Sequence, residues 1–242
     1  MKLEGKKVVI TGGAKRVGRA IVKAFAGKGA RVVIHCHHSA DEAQELLEEI
    51  GGWQAGHSIW YCDLSDLSAI KESALPYLAD ASVLVNNASV FARRTMLEEN
   101  EIDAATQFAV NYTAPVALMK LFAGICTHPA AVINLLDQGI CRPDETSFSY
   151  GLSKKLLADA TRTAALQLAP EIRVNGIAPG PVLPPVEMPE SKMEKTLRSV
   201  PLQRAVDLDD LCSGALFLAE NESVTGTFLF IDCGQSLCQV PR

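Results

Sequence analysis

The sequence predicts a single α/β domain over residues 1–242, a doubly wound parallel sheet of about seven strands with helices on both faces. Three observations predict it. Short runs rich in β-branched residues alternate with longer stretches at helical spacing, no repeat or linker interrupts them, and glycine or polar clusters follow the apolar runs directly. With 48% hydrophobic and 21% charged residues and a net charge of −5, the chain has material for a sizeable core but no cationic footprint for nucleic acid. No run reaches the ~18 consecutive apolar residues of a membrane helix, and the first apolar run is too short for a signal peptide, so a cytoplasmic protein is expected. Seven cysteines without paired spacing fit reduced thiols.

The first strand, Val8–Thr11, passes into GGAKRVG and then a helix with Ile21 and Phe25 on one face. Such a unit presents free N–H groups and a helix N-terminus to a pyrophosphate, with Gly12 and Gly18 permitting the tight turn; a plain strand-to-helix turn is the alternative. The second apolar run, Arg31–Ser39, ends in Cys36, His37, His38 and Ser39, with Lys15 and Arg16 in the preceding turn and no carboxylate before Asp41. In a dinucleotide fold, basic and polar groups here select NADP(H) over NAD(H). A metal site at His35–His38 is disfavoured, because adjacent strand residues point to opposite faces.

A helix over Asp41–Glu49, with Leu46, Leu47 and Ile50 as its apolar face, ends at Gly51 and Gly52. The third strand, Ser58–Tyr61, leads to Asp63, which suits either an adenine amine or a helix cap. A helix to about Leu78 and a strand over residues 82–89 follow. Asn86, Asn87, Ala88 and Ser89 then form a polar edge where an open parallel sheet binds ligands. Phe91 is readable as core or as a stacking platform. The helix from Asn100 to Ile125 carries Asn111 at its middle, and the fifth strand ends at Asp137. The next helix runs to about Leu168, with Leu152, Leu156, Ala160, Ala164 and Leu168 as packing positions. A strand over residues 172–180, a proline-rich stretch Pro181–Pro201 in the position of a lid, a helix Asp207–Ala219 and a strand over residues 227–232 complete the chain.

Tyr150 and Lys154 lie at i and i+4 and share a helix face. A cation beside a phenol favours the phenolate, so the pair is expected to lower the tyrosine pKa toward that of a working proton donor.

With TGGAKRVG at Thr11–Gly18, NNAS at Asn86–Ser89 and Tyr150 to Lys154 in this order, the whole chain resembles a short-chain dehydrogenase/reductase with a Rossmann-type fold. The resemblance implies Tyr150 as acid, Lys154 on the cofactor ribose and Asn111 in a proton relay. It further implies a cofactor lining of Gly12, Lys15, Arg16, Val17, Gly18, His35, His37, His38, Ser39, Asp63, Leu64, Asn87, Ala88, Ser89, Pro179 and Gly180, and a homotetramer. One residue departs from the pattern. Most of the family has a serine thirteen residues before the tyrosine, where this chain has Asp137. A carboxylate there opposes a developing alkoxide but serves a ring nitrogen gaining a proton. That exchange, with His35, His37, Ser39 and NNASVF, resembles the pteridine reductases, which implies that Phe91 stacks a pterin and that Arg16, Ser89, Asp137 and Tyr150 contact it. The residue before Ser39 is often arginine in that group and is His38 here.

The expected activity is NADPH-dependent reduction of a dihydropterin or dihydrofolate to its tetrahydro form. The alternatives are a carbonyl reductase, such as one acting on a 3-oxoacyl thioester, and a non-catalytic NADP(H)-binding regulator.

Overall fold

The computed structural model describes residues 1–184, 194, 197–198 and 200–238. Seven strands form one sheet: β1 (Lys7–Ile10), β2 (Arg31–Cys36), β3 (Ser58–Tyr61), β4 (Ala81–Asn86), β5 (Ala130–Leu135), β6 (Ile172–Pro179) and β7 (Phe228–Ile231). Every pairing is parallel, in the order β3-β2-β1-β4-β5-β6-β7. The strands are almost continuously apolar because both faces are covered. Val8, Ile10, Val32, Ile34, Val83 and Val85 enter one core cluster, and the intervening Val9, Val33 and Leu84 enter the other.

On the first face pack α1 (Arg16–Gly27), α2 (Ala40–Glu49) and α8 (Leu208–Glu220), through Ile21, Phe25, Leu46, Leu47, Leu211 and Leu218. The second face takes α3 (Leu67–Ser73), α4 (Leu75–Leu78), α5 (Glu101–Phe108), α6 (Ala114–Ile125) and α7 (Phe148–Gln167), with Ile70, Leu78, Leu118 and Phe122 in its core. The run expected as one helix to Leu78 is two, because Pro76 starts a new short turn after Ala74. Glu101–Ile125 is long and apolar enough by composition to cross a membrane, and here its Leu118, Met119 and Phe122 are buried in the second core.

The expected packing face of α7 holds at its C-terminal end, where Ala164 and Leu168 pack against the second core, and fails at its N-terminal end. Leu152 and Leu156 are 38% and 43% exposed, while Ser149, Ser153, Lys154, Leu157, Ala158, Thr161 and Ala165 are buried. That buried face consists mostly of small residues, which let the helix lie close to the sheet and turn Lys154 inward.

The strand order reverses between β1 and β4. An open parallel sheet binds ligands outside the carboxyl ends of its strands at such a point, and the turn after β1 and the polar segment after β4 meet there.

Candidate active site

The turn between β1 and α1 is held by side chains from two other strands. Thr11 Oγ1 accepts from the backbone N–H of Asn87 and Ala88 at 2.9 and 3.0 Å, and Asn87 Nδ2 donates to the carbonyls of Thr11 and Gly12 at 2.9 and 3.0 Å. Gly12 has φ +60°, and a Cβ there would stand 2.9 Å from Ala88 Cα. At Gly18 a Cβ would stand 2.0 Å from the Gly12 carbonyl oxygen and 2.7 Å from Asn87 Nδ2. Backbone has to move to accept it. Gly18→Ala is therefore expected to destabilise the fold by about 1–3 kcal/mol, as overpacking does, and a thermal melt checks this.

His35, 2% exposed, is the third clamp. Its Nδ1 accepts from Gly12 N–H at 3.0 Å and its Nε2 lies 3.1 Å from the Cys62 carbonyl, which fixes the neutral Nε2–H tautomer. Burial pulls its pKa down from 6.5 to about 4, against the opposing pull of the Cys62 carbonyl. Since the unfolded chain binds this proton first, the associated stability is fully present above pH 6.5 and is lost as pH falls toward 4. The gap corresponds to about 3 kcal/mol. Urea midpoints measured from pH 7 to 4 are expected to fall in the wild type, and less steeply in His35→Gln, whose amide cannot titrate.

At the far end of the cleft, α7 delivers Tyr150 and Lys154. Tyr150 Oη donates to Asp137 Oδ2 at 3.0 Å, and Asp137 Oδ1 accepts from Gly139 N–H at 2.6 Å, so both carboxylate oxygens act as acceptors. Lys154, 2% exposed, donates to the Leu135 carbonyl at 2.8 Å with Nζ 5.9 Å from the centre of the Tyr150 ring. Burial pulls the Lys154 pKa down to about 8, while Asp137 pulls it upward. The tyrosine shift is opposite to the one expected from the i, i+4 lysine. Burial first, then the charge and hydrogen bond of Asp137, hold the phenol well above its ordinary range. Tyr150 is therefore a protonated donor across neutral pH. Phe91, 51% exposed, meets its ring edge-on, with centroids 4.7 Å apart and planes at 85°. It stands at the site and not in the core.

Asn111 sits in a π-helical turn, Ala109–Thr113, between α5 and α6, where the widened backbone turns its side chain inward. Its amide donates to Val90 O at 2.9 Å and Ser153 Oγ at 3.3 Å, and its oxygen accepts from Ser89 Oγ and Val90 N at 3.0 and 2.9 Å. Among the described residues no direct hydrogen bond joins it to Tyr150 or Lys154, and its own bonds fix the start of the Phe91 loop. The same loop is tied down by Gln107, which accepts from Ala92 N at 3.2 Å and donates to Glu99 at 2.7 Å, and by Ser149, which donates to Glu99.

Between these ends runs a cleft of about 660 Å³, within the usual range for a small-molecule site. Of the expected residues, Gly12, Lys15, Arg16, Val17, Gly18, His35, His37, His38, Asp63, Leu64, Asn87, Ala88, Ser89, Tyr150, Lys154 and Pro179 line it. Ser39 and Gly180 do not, and neither do Asn111, Phe91 and Asp137, the last two of which meet the cleft through their contacts with Tyr150. Ser39 precedes α2, and Gly180 packs against the backbone of Asp232, which a Cβ would meet at 2.7 Å. Asp63 neither caps α3, whose cap is Asp66, nor points away from the cleft. It accepts from Ser65 N and Oγ, both at 2.8 Å, and faces His37 at 3.7 Å. Asn86, grouped with the polar edge, is buried and donates inward to Asn134 at 2.8 Å. Arg16, at φ +52°, reaches across to the Pro184 carbonyl at 2.8 Å. Much of the lid stretch Pro181–Pro201 lies outside the described residues. Ser65, Val90, Thr106, Val110, Leu135 and Leu136 complete the lining without having been expected. Only their positions beside the expected residues signalled them.

The set suits a phosphorylated dinucleotide. The glycines let the backbone of the turn close tightly, with the Gly12 and Gly13 N–H groups taken by His35, the first-turn N–H groups of α1 have no intrahelical partner, and Lys15, His37 and His38 supply cationic or donor groups at one end. Lys15 is meanwhile paired with Glu42 at 2.6 Å, and the rings of His37 and His38 lie with centroids 3.5 Å apart, tilted by 30°.

The sequence model of a family described as "Enoyl-(Acyl carrier protein) reductase" matches residues 12–236. Pteridine reductase 1 of Leishmania tarentolae is 30% identical, over 95% of this chain and 96% of its own. An L-xylulose reductase of Cavia porcellus is also 30% identical, over 96% and 97%. The crystal structure of FolM alternative dihydrofolate reductase 1 from Brucella canis, complexed with NADP, superposes with a TM-score of 0.91 at 34% identity, covering 99% of this chain and 97% of that one.

Proposed function

The chain belongs to the short-chain dehydrogenase/reductase family, and on that premise we propose that it is an NADPH-dependent reductase acting on the C=N bond of a dihydropteridine. One observation carries this reading: the phenol of Tyr150 donates to a carboxylate, Asp137, at 3.0 Å, where most of the family has a serine hydroxyl. An alkoxide forming beside that carboxylate meets a like charge. At about 4 Å and an effective dielectric of 20 the repulsion is about 4 kcal/mol. A ring nitrogen that takes up a proton reverses the sign. The same carboxylate then stabilises the developing N–H⁺ by a similar amount, and the adjacent phenol holds the proton at Oη.

Bound NADPH would supply a hydride. Gly12, Gly18 and Asn87 would admit its pyrophosphate, Lys15, His37 and His38 its 2′-phosphate, and Lys154 its ribose. Lys154 opposes the build-up of two negative charges when Tyr150 gives up its proton. Phe91 is a half-exposed aromatic beside that phenol, able to serve as a surface for a flat heterocycle. The match to Leishmania pteridine reductase 1 and to the Brucella FolM structure supports the reading, while the L-xylulose reductase match motivates the competing test.

NADPH oxidation is to be followed with 7,8-dihydrobiopterin, 7,8-dihydrofolate, L-xylulose and a 3-oxoacyl thioester. The pteridines are expected to have the higher kcat/KM. Reduction of a carbonyl compound with neither pteridine turned over overturns the reading.

A further inference from the structure

A recess of about 510 Å³ lies at the loop that follows Phe91 in the chain, lined by Arg93, Arg94, Thr95, Glu98 and Thr146. It opens in a protein whose net charge is −5, so a small anion has to be held by local cations. Arg93 and Arg94 are exposed, and among the described residues no carboxylate comes within 4.0 Å of either guanidinium. Arg94 spends one N–H on its neighbour's carbonyl, at 3.1 Å, which leaves most of its donors and all those of Arg93 without acceptors among the described residues. Glu98, which lines the recess and feels the Arg94 charge, and Asp144 each direct one oxygen to other donors. Glu98 Oε2 accepts from Thr95 N and Oγ1 at 3.1 and 2.9 Å, and Asp144 Oδ1 accepts from Thr146 N and Oγ1, both at 2.8 Å.

The loop that lines the recess is tied to the helix that carries Tyr150. The Arg94 carbonyl accepts from Phe148 N–H at 2.9 Å, in the first turn of α7 and two residues before Tyr150. The Glu99–Ser149 and Glu99–Gln107 bonds fix the other end of the same loop. Phe91 precedes Arg94 by three residues, a span of at most ~10 Å of chain. A ligand whose ring lies on Phe91 can therefore extend an arm of that length to the arginines.

Resting on the pteridine reading above, we propose that Arg93 and Arg94 are specificity-determining residues that bind the carboxylates of a negatively charged arm on the substrate. The enzyme thereby favours a pteridine conjugated to a benzoyl-glutamate tail over one with a short neutral side chain. Two forked guanidiniums on one loop match two carboxylates on one arm.

The test is equilibrium binding of 7,8-dihydrofolate and 7,8-dihydrobiopterin to the NADP⁺-loaded protein, for the wild type, Arg93→Ala/Arg94→Ala and Arg93→Lys/Arg94→Lys, each shown to be folded by circular dichroism. Loss of both charges is expected to raise the dihydrofolate Kd at least tenfold relative to the dihydrobiopterin Kd, since hydrogen bonds to charged groups are worth roughly that factor or more. The lysine variant is expected to recover most of the difference. Wild-type dihydrofolate binding should weaken with added NaCl, and that dependence should shrink in the alanine variant. Equal changes for both ligands, or none, overturn the subsite and leave the pteridine reading standing. Failure of the wild type to bind either ligand overturns both.

Discussion

Tyr150→Phe is expected to lower kcat for dihydropteridine reduction by roughly 10²–10⁴, the range over which a positioned general acid contributes. The substitution keeps the ring and its edge-on contact with Phe91, 4.7 Å between centroids, and removes only the hydroxyl that donates to Asp137 at 3.0 Å. Neither the glycine turn nor Lys154 depends on that hydroxyl. Affinity for NADPH should stay within a few fold, and the loss should appear in kcat. A variant that retained more than about a tenth of wild-type kcat would place the proton source elsewhere. Because burial and Asp137 hold the phenol above its ordinary range, the wild-type rate should show no loss through titration of Tyr150 between pH 6 and 8.

The fold was legible because its signals are local. Each β-branched run ends within a few residues of a glycine or polar cluster, so strand, turn and ligand edge are read together, as at Val8–Gly18 and at residues 82–89. The NNAS and Tyr150–Lys154 motifs are likewise contiguous, and the topology brings them to one cleft. What escaped reading is what depends on distant partners. His35 clamps Gly12 across 23 residues, and nothing in a run of histidines distinguishes that role from a phosphate contact. Asn111 was placed correctly on its helix, but its four hydrogen bonds go to Val90, Ser89 and Ser153. The phase of α7 was missed at its N-terminal end because the buried face there is polar and small, with Ser149 and Ser153 inside and Leu152 and Leu156 outside. The direction of the Tyr150 shift was missed for a related reason. Helical spacing reveals the lysine but not the burial or the carboxylate 3.0 Å from the phenol.

Asp137 carries the substrate assignment, and its replacement has the second large effect. Serine in its place removes the charge while leaving a hydroxyl able to take up the Tyr150 hydrogen bond, the arrangement most of the family uses for carbonyls. The Coulombic contribution of about 4 kcal/mol then changes sign in its consequences for the two substrate classes. It no longer stabilises a protonated ring nitrogen, and it no longer opposes an alkoxide. Four kcal/mol corresponds to nearly a thousandfold in rate, so a hundredfold effect is a modest expectation. The decisive measurement is kcat/KM of Asp137→Ser with 7,8-dihydrobiopterin and with a ketone substrate, each relative to wild type. The pteridine value is expected to fall at least about a hundredfold while the ketone value holds or rises; a variant that keeps its pteridine activity would contradict the role given to the carboxylate and the function built on it.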